Sequence, residues 1–291
     1  MTQTELPPLE ILSELGIRGM LTVTPLQGGF DTAMWKVEYE GQSYALRVFR
    51  AGGQRDWKRE QIALAAAHAA GLPVPEVRIA DTWRAHPVLL MNWLVGHTID
   101  KELAAHPWRF WQQGLVFGRM QAAIHAVPAP VQFRKMPDAW IGWQCQEEQT
   151  LQEQLRHLAS DEAALLHLDY HPSNVLTDGK QVTGIVDWTN ALAGDPRADV
   201  ARTASILRFD PARREPFRER LIHYIFAWAW HVGYQRERGR SKDMPLFYVW
   251  AGTILQYDLA KRYQDRPQAL NAARRWTYKW KAKAGCFEKD H

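Results

Sequence analysis

A change of hydrophobic period part-way along the chain constrains the fold more than any other feature. In residues 21–50 the pattern is extended. Within TAMWKVEYEG, Met34, Lys36, Glu38 and Glu40 fall on one side and Trp35, Val37 and Tyr39 on the other, the two-residue alternation of a half-buried strand. Gly41-Gln42 is expected to turn the chain into a second strand, SYALRVFR. Residues 55–70 read as a helix closed by Gly71, with Pro73 and Pro75 beyond it. EVRIA and PVLLMNWLV read as two more strands. After Gly96 the period becomes helical, over residues 108–127, 146–158, 213–234, 246–263 and 269–283, interrupted by one loop and hairpin. The pattern predicts an α+β chain: a β-rich amino-terminal lobe (1–95), a mainly helical carboxy-terminal lobe (96–291), a joint near Trp93–Gly96 and a cleft between them.

Composition removes several function classes. With 291 residues and 46% hydrophobic side chains, the chain can bury a sizeable core. The net charge of +4, from 36 basic and 32 acidic residues, suits an anionic ligand but is too small to imply nucleic acid. Two cysteines imply no disulfide framework. The amino terminus, MTQTELPPLE, has neither the basic nor the apolar region of a signal peptide, and no apolar run reaches membrane-spanning length. The expectation is a cytoplasmic protein with no nucleic-acid and no membrane partner.

The chemistry concentrates in HLDYHPSNVLTDGKQVTGIVDW, from His167 to Trp188. Asp178-Gly179 is a turn signal between two short β-like runs. Antiparallel pairing would place Asn174, just before the first run, beside Asp187, just after the second. An amide carbonyl and a carboxylate suit Mg²⁺, a hard cation that takes oxygen ligands. Asp169 lies within a loop's reach and can accept a proton from an attacking hydroxyl. A base for the nucleophile and metal ligands for a phosphate are what phosphoryl transfer needs. A second set competes. His167, Asp169 and His171 alternate as one face of a strand would, and suit a transition metal such as zinc. Against it, Pro172 breaks the strand and no further His cluster supplies ligands. On the magnesium reading His167 holds the loop, and His171 either packs in the loop or approaches substrate.

In these motifs and their order the chain resembles the aminoglycoside phosphotransferase and choline kinase family, from about Leu21 to Tyr263. The family loop His-Gly-Asp-x-His-x-x-Asn stands here as HLDYHPSN, and GDPRADVAR resembles the family's Gly-Asp-Pro-x-x-Asp segment. The resemblance implies a bilobal protein-kinase-like fold and a small-molecule O-phosphotransferase. That enzyme would move the γ-phosphate of ATP or GTP, with Mg²⁺, to a hydroxyl of an antibiotic, an amino alcohol or a similar metabolite. It makes Asp169 the catalytic base, with Asn174 and Asp187 holding the metal. Gly28 and Gly29 in LQGGFDTAMWKV would cover phosphate, and Arg47 in YALRVFR would bind it, paired with Glu60 on the following helix. Backbone at Asn92 and Trp93 in LLMNWLVG would meet adenine. Asp199 would brace the loop or line the substrate side; Asp195 reads as a turn and helix-cap residue, and His125 in AAIHAVP as structural.

Three positions depart from the pattern. Leu168 replaces a glycine, Arg47 stands where lysine is common, and the Gly-rich loop lacks further glycines. The first two are the only support for a catalytically silent nucleotide- or ligand-binding module on the same fold. Between Asp187 and GDPRADVAR there is little room for a peptide-binding activation loop, which disfavours a protein substrate. The last eighty or so residues are basic on balance, which argues against a polycationic acceptor. Among the 14 tryptophans, Trp228, Trp230, Trp250, Trp276 and Trp280 either pack the helical lobe or offer faces to a cationic or apolar acceptor.

Overall fold

The computed structural model describes residues 6–26, 32–135, 139–143, 148–160, 163–209, 217–262 and 267–285. Helix α1 (Pro8–Glu14) precedes strands β1 (Leu21–Leu26), β2 (Thr32–Tyr39) and β3 (Gln42–Phe49). Helix α2 (Gln54–Ala69) leads to β4 (Val77–Trp83) and β5 (His86–Asn92). The five strands form one antiparallel sheet in the order β1-β2-β3-β5-β4. The β2–β3 turn falls one residue earlier than expected. Tyr39 pairs with Gln42, and Glu40 and Gly41 take φ of 49° and 74°, the left-handed pair that matches the twist of a tight hairpin.

Both faces of the central strands are covered, which is why YALRVF and PVLLM read as nearly continuous apolar runs. Leu46, Val48, Val88 and Leu90 pack with Ile11 and Leu12 of α1. Ala45, Phe49, Leu89 and Met91 pack on the opposite face with Ala63, Leu64 and Ala67 of α2. Arg47 alternates onto this second face. Helix α2 stops where expected: Gly71, at φ 77°, donates to His68 O while Leu72 donates to Ala67 O, the paired closure of a helix ending in a left-handed glycine.

The rest of the chain is mainly helical. It begins with β6 (His97–Thr98), α3 (Ile99–Ala105), α4 (Phe110–His125), α5 (Val131–Arg134) and α6 (Gln149–Leu158). Short strands β7 (Ala164–Leu166), β8 (Val175–Thr177), β9 (Val182–Ile185) and β10 (Leu192–Gly194) follow. Helices α7 (Pro196–Phe209), α8 (Phe217–Arg238), α9 (Met244–Arg262) and α10 (Pro267–Ala284) complete it. The helix expected over 108–127 is a 3₁₀ turn at Pro107–Arg109 followed by α4, and that expected over 146–158 begins at Gln149. Helices α4 and α8 touch backbone to backbone: a Cβ on Gly118 would lie 2.0 Å from Trp230 O, and one on Gly233 2.3 Å from Leu115 O. A second core, with Trp140, Leu166, Leu168, Ala198 and Trp250, joins α6, α7 and α9. Among the described residues, no helix is long and apolar enough to cross a membrane.

Candidate active site

The segment from His167 folds as its residue types dictate. Asp178 is a turn residue: its Oδ1 accepts from the N–H groups of Lys180 and Gln181, at 2.8 and 2.9 Å. The pairing is Val175 with Ile185, and Val186 N donates to Asn174 O at 3.0 Å. Asn174 and Asp187 are therefore neighbours at the open end of the hairpin. Strand β6, just past the joint, pairs with β8 and anchors the hairpin.

Asp169 reaches the same place on a loop that is hydrogen-bonded throughout. Asn174 Nδ2 donates to Asp169 O at 3.0 Å and lies 3.1 Å from His171 Nε2. His171 Nε2 is 3.8 Å from Asp169 Oδ1. His167 is fully buried; its Nε2 lies 3.1 Å from Val186 O, while its Nδ1 accepts from Asp169 N at 3.3 Å. An Nε2–H tautomer satisfies both bonds. Burial pushes its pKa down, against the upward pull of Asp199, Asp169 and Asp187, so the ring is neutral. Both of its nitrogens are turned to backbone, which removes it from the transition-metal set.

Leu168 takes the left-handed conformation, φ 61°, that glycine adopts without steric cost. Two contacts hold it there. Its side chain is fully buried in the second core, and its N–H donates to Asp199 Oδ1 at 2.7 Å. Asp199 Oδ2 also accepts from His167 N at 3.2 Å and meets His125 Nε2 at 2.9 Å. Burial raises the Asp199 pKa, but the bonds and charges of His125 and His167 outweigh it and hold the carboxyl below the usual range. Asp199 thus braces the loop. His125 is structural, its Nδ1 on Tyr234 Oη at 2.8 Å. Asp195 caps α7, accepting Arg197 N at 2.9 Å and Ser160 N at 2.9 Å.

Arg47 joins the sheet to this site. Its guanidinium donates to Glu60 Oε1 at 2.7 Å and to Asp187 Oδ1 at 2.9 Å, the latter a partner 140 positions away in sequence. Arg47 and Glu60 are buried, whereas the Asp187 side chain is one-third exposed. Burial drives Glu60 up to about 7 against the pull of Arg47. Burial also raises Asp187, but Arg47 and the Thr189 hydroxyl overcome it and hold the carboxyl at about 2. Asp187 has φ of 65°, so its backbone, like that of Leu168, is held away from its intrinsic preference.

The oxygen atoms left over fit a hard cation. Among the described residues, the hydrogen bonds to Asp187, from Arg47 and from Thr189, each at 2.9 Å, fall on Oδ1 and leave Oδ2 for another ligand. Asn174 uses its Nδ2 on the loop, leaving its carbonyl oxygen. Arg47 Nε and Glu60 Oε2 are buried without a partner. Such polar orphans are rare in interiors; the Arg47 donor suits an anionic ligand, whereas the Glu60 oxygen is an acceptor that an anion would not satisfy.

Other expectations resolve differently. Gly28 and Gly29 lie outside the described residues. The N–H groups of Asn92 and Trp93 are bonded to Glu76 O at 3.0 Å and Ser43 O at 3.1 Å, so both are engaged within the sheet. Trp230 and Trp250 are buried, with Nε1 donating to Gln121 Oε1 and Ile141 O. They pack the helical part and present no face to an acceptor. Trp228 is exposed, at 4.9 Å from Trp111. Two contributors escaped the sequence reading. Thr189 orients Asp187, and Arg59 donates to Thr189 O at 2.9 Å. A hydroxyl two residues beyond a ligand carboxylate is the signal that would have found the first.

A model of the phosphotransferase enzyme family matches residues 22–238. No curated protein sequence matches the chain. Among solved structures, the chain is similar to a thermostable mutant of aminoglycoside phosphotransferase APH(4)-Ia in ternary complex with AMP-PNP and hygromycin B. Identity is 17% over 96% of this chain and 99% of that one, with a TM-score of 0.63. It is also similar to an aminoglycoside-3′-phosphotransferase of type VIII, with 17% identity, 84% and 98% covered and a TM-score of 0.59. A macrolide 2′-phosphotransferase from Brachybacterium faecium gives 19% identity, 91% and 95% covered and a TM-score of 0.52. At these identities the likeness is one of fold.

Proposed function

The chain belongs to the phosphotransferase enzyme family, and from that premise we propose that it is a Mg²⁺-dependent small-molecule O-kinase using ATP or GTP. The observation that carries the reading is the Arg47–Asp187 ion pair. It brings a phosphate-binding cation from β3 against the hairpin end that carries Asn174, next to Asp169. In this reading the acceptor hydroxyl attacks the γ-phosphorus, the bond to the β-phosphate oxygen breaks, and the nucleoside diphosphate leaves. Asp169, held from below by Asn174 and His167, takes the hydroxyl proton and aligns the attacking oxygen. Asn174 Oδ1 and Asp187 Oδ2 are the oxygens offered to the metal. Magnesium there would spread the charge that builds on the transferred phosphate. Arg47, steered by Glu60, gives up Asp187 for phosphate oxygens as nucleotide enters. Carbonyl oxygens at Asn92 and Trp93 accept from the adenine or guanine edge, and Gly28 and Gly29 cover the phosphates.

The acceptor is a small molecule carrying a hydroxyl: an antibiotic, an amino alcohol or a related metabolite. The excess of arginine and lysine in the last third favours a neutral, monocationic or anionic acceptor over a polycation. A thermal-shift titration with Mg²⁺-ATP and Mg²⁺-GTP tests the reading. Ligand at about a hundred times its Kd stabilises by roughly 2.7 kcal/mol, or several degrees at about 2–4 °C per kcal/mol. The expected result is a shift that needs Mg²⁺ and is lost in Asp187→Asn. A protein that shifts with neither nucleotide is not this kinase.

A further inference from the structure

Behind the loop that carries Asp169 lies a cavity of about 690 Å³, large enough for a small metabolite. Its walls include His125 and Val127 at the end of α4, Arg134 of α5, Ser160, Pro196 at the start of α7, and Arg238 at the end of α8. Five separate segments converge there, and the described lining contains two arginines and no carboxylate. Arg134 is set in place by its Nε, which donates to Ala129 O at 2.6 Å. Arg238 lies one helical turn beyond Tyr234 on α8. From the cavity wall a hydrogen-bonded relay runs inward through His125: its Nδ1 meets Tyr234 Oη at 2.8 Å, its Nε2 meets Asp199 Oδ2 at 2.9 Å, and Asp199 accepts from the N–H groups of Leu168 and His167.

We propose that this cavity binds a small phosphate-bearing anion between Arg134 and Arg238, and that its occupancy is felt at the loop carrying Asp169. Two arginines in the lining of one cavity, with no described carboxylate beside them, suit the oxygens of a compact dianion. His125 belongs both to the cavity wall and to the relay, so a ligand seated there bears on the Asp199 contacts that hold Leu168 in its left-handed conformation. The binding half of the proposal is independent of the kinase reading; only the consequence for catalysis rests on it.

The test uses inorganic pyrophosphate in EDTA, so that no metal directs it to the cleft, and isothermal titration of the full chain. Arg134→Ala and Arg238→Ala are each expected to weaken binding at least tenfold. Arg78→Ala, an exposed arginine on β4 paired with Glu76, is expected to leave it unchanged. Equal affinity in all three, or no binding to the unaltered protein, overturns the site. Asp161 and Glu162, between Ser160 and Ala163, lie outside the described residues. Binding that appears only in an Asp161→Asn, Glu162→Gln double variant means the chain's own carboxylates fill the cavity, and likewise overturns it. Hydrogen exchange reads the relay without reference to activity: the amides of His167 and Leu168 slow on binding if it transmits. Unchanged exchange at saturation refutes the coupling.

Discussion

Leu168 gives the sharpest test of how the loop is held, because two opposing terms meet at one residue. Its left-handed backbone costs an L-residue about 1–2 kcal/mol. Its side chain is fully buried against the second core, and truncating a buried leucine to alanine costs about 2–5 kcal/mol. Leu168→Ala keeps the strain and loses the packing. Leu168→Gly loses one further carbon, about 0.8 kcal/mol, and pays about 0.5–1 kcal/mol in unfolded-chain entropy, but removes the strain. The last three terms cancel to within about 1 kcal/mol. Both variants are therefore expected to be destabilised by about 2–5 kcal/mol and to be nearly equal. Urea unfolding followed by tryptophan fluorescence measures this, provided the slope m is unchanged. A glycine variant less stable than alanine by more than about 1.5 kcal/mol refutes the strain; an alanine variant as stable as the parent refutes the packing.

Three other outcomes follow from the same geometry. Gly118→Ala drives a Cβ to 2.0 Å from a backbone oxygen of α8 that cannot swing away, so a loss of about 1–3 kcal/mol or more is expected; Gly142→Ala, with nothing within 4 Å, should be neutral in the same thermal melts. Asp199→Asn replaces one of two oxygens that both accept hydrogen bonds, and should cost about 2–3 kcal/mol in urea unfolding and lower kcat more than it changes KM. Burial lowers the pKa of His167 and of His231, so the stability they confer is complete above the unfolded value of about 6.5 and is lost as pH falls through the window below it. Melting temperature should decline from pH 7 toward pH 5, and less steeply in His231→Gln.

Local chemistry made the hairpin legible. Asp178-Gly179 names its turn, and a two-residue period then puts Asn174 and Asp187 at its open end. The central strands were legible too, because β3 and β5 are covered on both faces and so are apolar throughout. The contact between Arg47 and Asp187 was not. Nothing in either neighbourhood points to a partner 140 positions away, and only the resemblance suggested that both face one ligand. The role of Leu168 was hidden for another reason: sequence shows a leucine where glycine is usual, but not that Asp199 and a second core hold it in glycine's conformation. Likewise the sequence left Trp230 and Trp250 open between packing and an acceptor-facing role, and the structure buries them. Their burial follows from the approach of α4 to α8 and of α6 to α9, which no local period encodes.

The central claim is that Asp169 takes a proton while Asp187 and Asn174 hold a metal-bound phosphate, and slow nucleotide hydrolysis in the absence of acceptor measures this most directly. The account predicts that release of inorganic phosphate from ATP or GTP requires Mg²⁺ and falls at least a hundredfold in Asp169→Asn, in keeping with the usual worth of a general base, while nucleotide binding by that variant is retained. Hydrolysis that survives Asp169→Asn, or that proceeds equally well in EDTA, would contradict it.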